Sequence, residues 1–368
     1  MTQHTARTHS AFASCLRAAV IAGLSLLPLA VHAQEKIKMG TPARVNIGYS
    51  PFLLARDMGY FQQEGLEVEI IEFLGTSVLI PQVANKGVDI GFPGADAVII
   101  SRQPGRDYMP VRFFYNVTRK NPWDFVVPDN SPIKRVEDLR GKKIGVGALA
   151  NGNVPIARSM FREMKMEAGR DYEFVPTGVG APAIHAMNTG QIDVFNGFDA
   201  TIAFLANAGI KLRYLQQPPK YTNLISNGMM THEDTIKNRP EMLGKFGRAV
   251  AKAILACEAD IPHCIRSAWK QYPSLKPQDK TDEQALAEAI PTVTKRMESM
   301  LTFADPKAPR RFGEYQPQMW QDYIDVLYDG GEITSKQIDV ASLYTNQFVD
   351  AINAFDPAKV LADVKARR

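Results

Sequence analysis

Cysteine is nearly absent from this sequence: there are three in 368 residues, Cys15, Cys257 and Cys264, and no Cys-x-x-Cys pair. That excludes a zinc ribbon, a thioredoxin-like redox motif and a small disulfide-dense scaffold. Catalytic signatures are missing as well. There is no Gly-x-Ser-x-Gly elbow and no His-Glu-x-x-His helix, and Leu139-Arg140-Gly141-Lys142-Lys143 lacks the glycine spacing and hydroxyl residue of a phosphate-binding loop. His185, His232 and His263 stand alone, so no metal site and no catalytic residue is expected, and no cofactor either. Charge of one sign is also lacking. With 43 basic and 39 acidic residues the chain is close to balanced, which argues against nucleic acid as a partner. Beyond residue 33 no apolar run approaches the ~20 residues that a membrane span needs.

The first 33 residues read differently from the rest. Arg7 and Arg17 give a basic start, Ala18 to Val31 is apolar and rich in small residues, and Val31-His32-Ala33 fits a small-x-small cleavage site. The expectation is a secretory signal peptide (residues 1–33) cut before Gln34 and a protein released into the periplasm; the alternative is a short membrane anchor. Without this segment 41 basic and 39 acidic residues remain, in a chain of about 335 residues. That length suggests two domains.

What is present is organised around VNIGYSPFLLARDMGYFQQEGLEVEIIEFLGTSVLIPQVANKGVDIGFPGAD, residues 45–96. Alternation at Val45, Ile47 and Tyr49 predicts a strand, and Leu53, Leu54, Met58 and Phe61 the face of a helix. Two further strands run through Val68–Ile71 and Val88–Phe92. Alternating β and α units predict a mostly parallel sheet flanked by helices, with a ligand beyond the strands' carboxyl ends. Those ends carry Ser50-Pro51-Phe52, Gly75-Thr76-Ser77 and Gly94-Ala95-Asp96. The unit recurs: residues 172–200 repeat the order of residues 68–97, a strand, a Gly-rich turn, a helix closing on Asn-x-Gly, then a strand with an aspartate. This predicts an α/β protein of two lobes with the ligand in the cleft between them. The first lobe takes residues 34–128 and 225–368 and the second residues 129–224, with crossings at 127–131 and 221–229. The carboxyl third reads as helices that wrap the first lobe, the last of them near 342–354. Pro262 breaks a helix between Cys257 and Cys264, folding the chain back so that the two cysteines can bond; two reduced, buried thiols are the alternative.

The opening run VNIGYSPFLLARDMGYFQQEGLEVEI, together with VDIGFPGADA, SPIKRVEDLRGKKIGV, MNTGQIDVFNGF and SLYTNQFVDAI, resembles the periplasmic solute-binding proteins of ABC importers. The group is the one that takes thiamine-pyrimidine precursors, taurine, alkanesulfonates and nitrate. The resemblance implies a type II periplasmic-binding-protein fold, closing on one small solute and delivering it to a membrane permease with its cytoplasmic ATPase. The paired lobes and the missing catalytic signatures lead to the expectation of binding without enzymatic turnover, and a monomer is expected. Some members of the wider group resemble pyrimidine-forming enzymes, but those rely on a Cys-rich segment that this chain lacks.

For solute contacts the turns supply Ser50, Thr76, Ser77, Asn151, Gly152 and Asn153, whose hydroxyls, amides and free N–H groups suit anionic or amide oxygens. Ordinary N-capping is the alternative for each. Phe52, Trp123 and Phe198 supply flat apolar contact or, alternatively, core. Asp96 and Asp199 end corresponding units of the two lobes; as facing carboxylates they would select a pyrimidine-like or other N-containing ring with N–H donors, and otherwise they are caps. The alternative solute is a sulfonate or carboxylate anion.

Overall fold

The computed structural model describes residues 33–303, 305 and 307–367. The chain divides into two units, Met1–Gln34 and Glu35–Arg368, and only the second is described below. The expected signal segment lies almost wholly outside the described residues. Among the described residues no helix is long and apolar enough to cross a membrane.

The second unit holds two five-stranded sheets. The first contains β1 (Glu35–Thr41), β2 (Leu66–Glu72), β3 (Ile90–Gly91) and β4 (Val111–Asn116). The second contains β5 (Trp123–Pro128), β6 (Lys142–Val146), β7 (Tyr172–Pro176), β8 (Val194–Phe198) and β9 (Leu212–Leu215), after which β10 (Gly228–His232) returns to the first. The orders are β2-β1-β3-β10-β4 and β7-β6-β8-β5-β9. In each sheet the first three strands are parallel and the fourth, β10 or β5, pairs antiparallel with both of its neighbours. The two sheets therefore share one topology, and each receives its antiparallel strand from the chain arriving out of the other. The repeat seen in the sequence corresponds to β2–β3 and β7–β8 with their helices.

Two strand expectations are corrected. Val45–Tyr49 is not a strand: β1 precedes it, and Pro42 ends the run. Asn46 then accepts a hydrogen bond from the Gly48 N–H, 3.0 Å, starting a short 3-10 turn at Ile47–Tyr49. A side chain that caps locally competes with a strand ladder, and here it wins. Trp123–Pro128 was expected in the first lobe, with a crossing at 127–131. It lies in the second sheet, paired with β8 and β9. The chain crosses instead at residues 117–122, and returns at 216–227.

The carboxyl third also differs from expectation. Pro240–Ala259 and Ile261–Gln271 cover the first sheet through the Ser50–Asp57 helix, whereas Pro317–Asp329 packs on Asn153–Glu163 of the second. Its Trp320, fully buried, stacks on Tyr344 with centroids 5.7 Å apart. A last helix, Pro357–Ala366, went unread in the sequence.

At the corner between Pro240–Ala259 and Ile261–Gln271, Asp260 caps the second helix by accepting from the His263 N–H at 2.9 Å. Cys257 and Cys264 meet there in a disulfide, with Cα atoms 5.1 Å apart. So short a loop is worth about 2 kcal/mol. Thiol titration of the denatured, unreduced protein lacking residues 1–33 should find no free thiol, and two after reduction.

Candidate functional site

The carboxyl ends of both parallel sets face each other across one cavity. Because β5 and β10 run antiparallel, their amino ends open on the same place. The first half contributes Pro42, Ala43, Tyr49, Thr76, Phe92 and Asn227. The second contributes Pro122, Trp123, Asn151, Gly152 and Phe198, and Arg296 enters from the Asp282–Leu301 helix. The cavity measures about 40 Å³, room for roughly three waters.

Four aromatic rings wall it. Trp123 and Phe198 meet edge to face at 5.3 Å, and Tyr49 meets Phe92 in the same way at 6.0 Å. Burial pushes the Tyr49 phenol well above its ordinary pKa, with Arg296 partly offsetting it. The cationic group is Arg296, whose side chain is only 6% exposed. Its Nη2 donates to Asp199 Oδ1 at 2.6 Å, and its Cζ lies 5.6 Å from the Phe198 ring centre. Arg296 Nε has no hydrogen-bond partner among the described residues. The same Asp199 oxygen accepts from the Ala200 N–H at 2.7 Å. The carboxylate cancels the cation's charge while leaving part of its donor fork unused.

Two glycines permit the close approach of the halves. Gly75 has φ +122° and lies so near Ala150 that a Cβ would come within 2.7 Å of that residue's own. A Cβ on Gly152 would stand 2.9 Å from Asp96 Oδ1. Asp96, 3% exposed, therefore sits behind Gly152 and not in the cavity wall. Burial lifts its carboxyl to about 6 against the lowering effect of its own and Ala97's N–H groups; Glu332 adds to the rise and Arg158 opposes it. Asp96 Oδ1 has no partner among the described residues.

Of the residues proposed from sequence, Thr76, Trp123, Asn151, Gly152 and Phe198 line the cavity. Thr76 Oγ1 also accepts from the Gly94 N–H at 3.2 Å. The others are placed elsewhere. Ser50 is fully buried and donates to the Ile47 carbonyl at 2.6 Å. Phe52 is core and supports Phe92 at 5.1 Å. Exposed Ser77 reaches the Ala150 carbonyl at 3.5 Å, at the edge where the halves touch. Asn153 is turned inward, its amide donating to the Asn196 backbone and side-chain oxygens at 3.1 and 2.6 Å. The two aspartates do not face each other across a solute, since Asp199 is engaged by Arg296.

Arg296 was missed, as were Tyr49, Phe92 and Asn227. A signal for Arg296 existed: it falls on the buried stripe Thr292, Val293, Arg296, Met297 and Met300, where an arginine needs a partner. Among the described residues no group of three or more His, Cys, Asp or Glu could hold a metal ion.

Two like sheets of mixed α/β topology, flanked by helices and meeting at a cavity beyond their strand ends, constitute the periplasmic-binding-protein fold. A Candida albicans gene product described as having that generic fold superposes with a TM-score of 0.61 at 16% identity, over 85% of this chain and 96% of that one. The alkanesulfonate-binding protein SsuA of Xanthomonas axonopodis pv. citri, solved with MOPS, gives 0.63 at 15% identity, over 85% of this chain and all of that one. The riboflavin-binding protein RibY of Chloroflexus aurantiacus is 24% identical over 310 residues, 83% of each chain. The model of the NMT1/THI5-like family matches residues 46–260, and the chain belongs to that family.

Proposed function

We propose that this chain is the solute-capturing component of an ABC importer, acting in the periplasm as a monomer and handing a planar, carbonyl-bearing N-heterocycle to a membrane permease with its ATPase. One observation carries the reading. A guanidinium with unused donors, Arg296, opens on a cavity walled by Tyr49, Phe92, Trp123 and Phe198. Rings favour a flat solute, and the spare N–H groups favour an acceptor oxygen on it. The riboflavin-binding relative supports that class. With room for about three waters the cavity is too small for a fused-ring solute such as riboflavin, so binding of that size widens the cleft about the crossings at 117–122 and 216–227 and closure then buries the solute. The sulfonate-binding neighbour and the guanidinium favour a second reading, an organic sulfonate or carboxylate.

A thermal-shift panel of riboflavin, an aminopyrimidine, taurine, an alkanesulfonate and an aromatic acid separates these. A heterocycle at 100 times its dissociation constant adds roughly 2.7 kcal/mol, and it should be recovered chemically unchanged. A shift with taurine or the alkanesulfonate alone selects the anion reading, and appearance of a product overturns solute capture.

A further inference from the structure

Adjacent residues of the Asp282–Leu301 helix make the same kind of contact twice. That helix packs on Ile261–Gln271, which itself lies on Ser50–Asp57 of the first half, and it also touches the Asp199–Asn207 helix of the second. Arg296 holds Asp199 and lies over Phe198. Lys295 reaches Asp124 Oδ2 at 2.5 Å, and its Nζ stands 4.3 Å from the Tyr214 ring centre. Each cation thus takes one carboxylate and one aromatic ring, and all four of those groups belong to the second sheet or the helix following β8. Lys295 and Asp124 do not line the cavity.

We infer that the Asp282–Leu301 helix is an ionic strap, whose Lys295–Asp124 pair keeps the two halves together in the absence of solute. The buried Arg296–Asp199 pair is shielded from salt, while the Lys295 and Asp124 side chains are 39% and 23% exposed and lie within its reach. The strap's population of joined and parted states is therefore salt-dependent. Its test needs no ligand, so it stands or falls separately from the proposed solute.

Spin labels placed through Leu74→Cys and Val179→Cys report the separation of the halves. Both sites are exposed, 66% and 42%, and in the chain lacking residues 1–33 the two remaining native cysteines, Cys257 and Cys264, are bonded to each other and unavailable for labelling. In solute-free protein at low salt, one short distance should dominate. Lys295→Met should raise the longer-distance population by about fivefold, the upper range for a partly exposed pair. Reversing the pair with Lys295→Asp and Asp124→Lys should restore the short distance. Raising salt to 1 M should lengthen the distance in the wild type more than in Lys295→Met. Superimposable distributions for wild type and Lys295→Met, no rescue by the reversed pair, or a wild-type distance indifferent to salt would each overturn the strap.

Discussion

Arg296→Met is expected to cost the fold about 3–5 kcal/mol and to abolish solute binding. The stability loss follows from what the substitution leaves behind. Asp199 is 4% exposed, and without the guanidinium its charge is buried with the Ala200 N–H as its remaining hydrogen-bond donor among the described residues, helped by the field of Lys295. Removing one partner of a buried pair is costly because the other stays charged. The double variant Arg296→Met/Asp199→Asn should recover most of the stability, since the orphaned charge is gone, yet bind no better. Arg296→Lys should keep the charge balance and lose affinity, because an ammonium lacks the planar fork that can hold Asp199 and a solute oxygen together. Urea denaturation and solute titration on the same three variants separate the structural from the binding role. Equal stability of Arg296→Met and wild type would remove the ion pair from the account.

Asp96→Asn is expected to stabilise the protein at neutral pH, by about 2–3 kcal/mol. The folded-state carboxyl sits at about 6, against 3.8 for a free one. Below the lower value both states are protonated and the site is neutral. As pH rises toward 6 the unfolded chain gives up its proton and the folded chain keeps it, so stability falls through this window and is flat above it. A displacement of this size corresponds to about 3 kcal/mol. Asparagine removes the charge, and its gain over wild type should vanish near pH 3.5. Paired denaturation curves at pH 3.5 and 7.5 check both halves of the statement. A gain that is the same at the two pH values would mean that ionisation is not its cause.

Sequence made the repeat legible because each copy is local: a strand, a glycine turn, a helix and a second strand within about 30 residues. Thr76, Asn151, Gly152 and Phe198 were legible because the ends of parallel strands open on a cleft by topology alone, and Trp123 because it is an aromatic beside the expected crossing. The misread parts depend on distant groups. Trp123–Pro128 reads equally well as a strand of either sheet, and only its pairing with β8 and β9 decides. Arg296 lies 97 residues from the aspartate it holds, on a helix that periodicity assigns simply to the core. The facing-carboxylate reading failed for that reason: a carboxylate's meaning depends on the cation beside it, and that cation came from the far end of the chain.

The central claim is that one solute sits between the two sheets, its ring against Trp123 and Phe198 and its acceptor oxygen on Arg296. A crystal structure of the chain lacking residues 1–33, with whichever panel solute stabilises it most, tests this most directly. The account predicts an unaltered solute in that cleft, with an oxygen about 2.7–3.1 Å from a guanidinium nitrogen. A solute seated instead in the separate cavity of about 260 Å³ beside Phe204 and Trp269, or density for a reaction product, would contradict it.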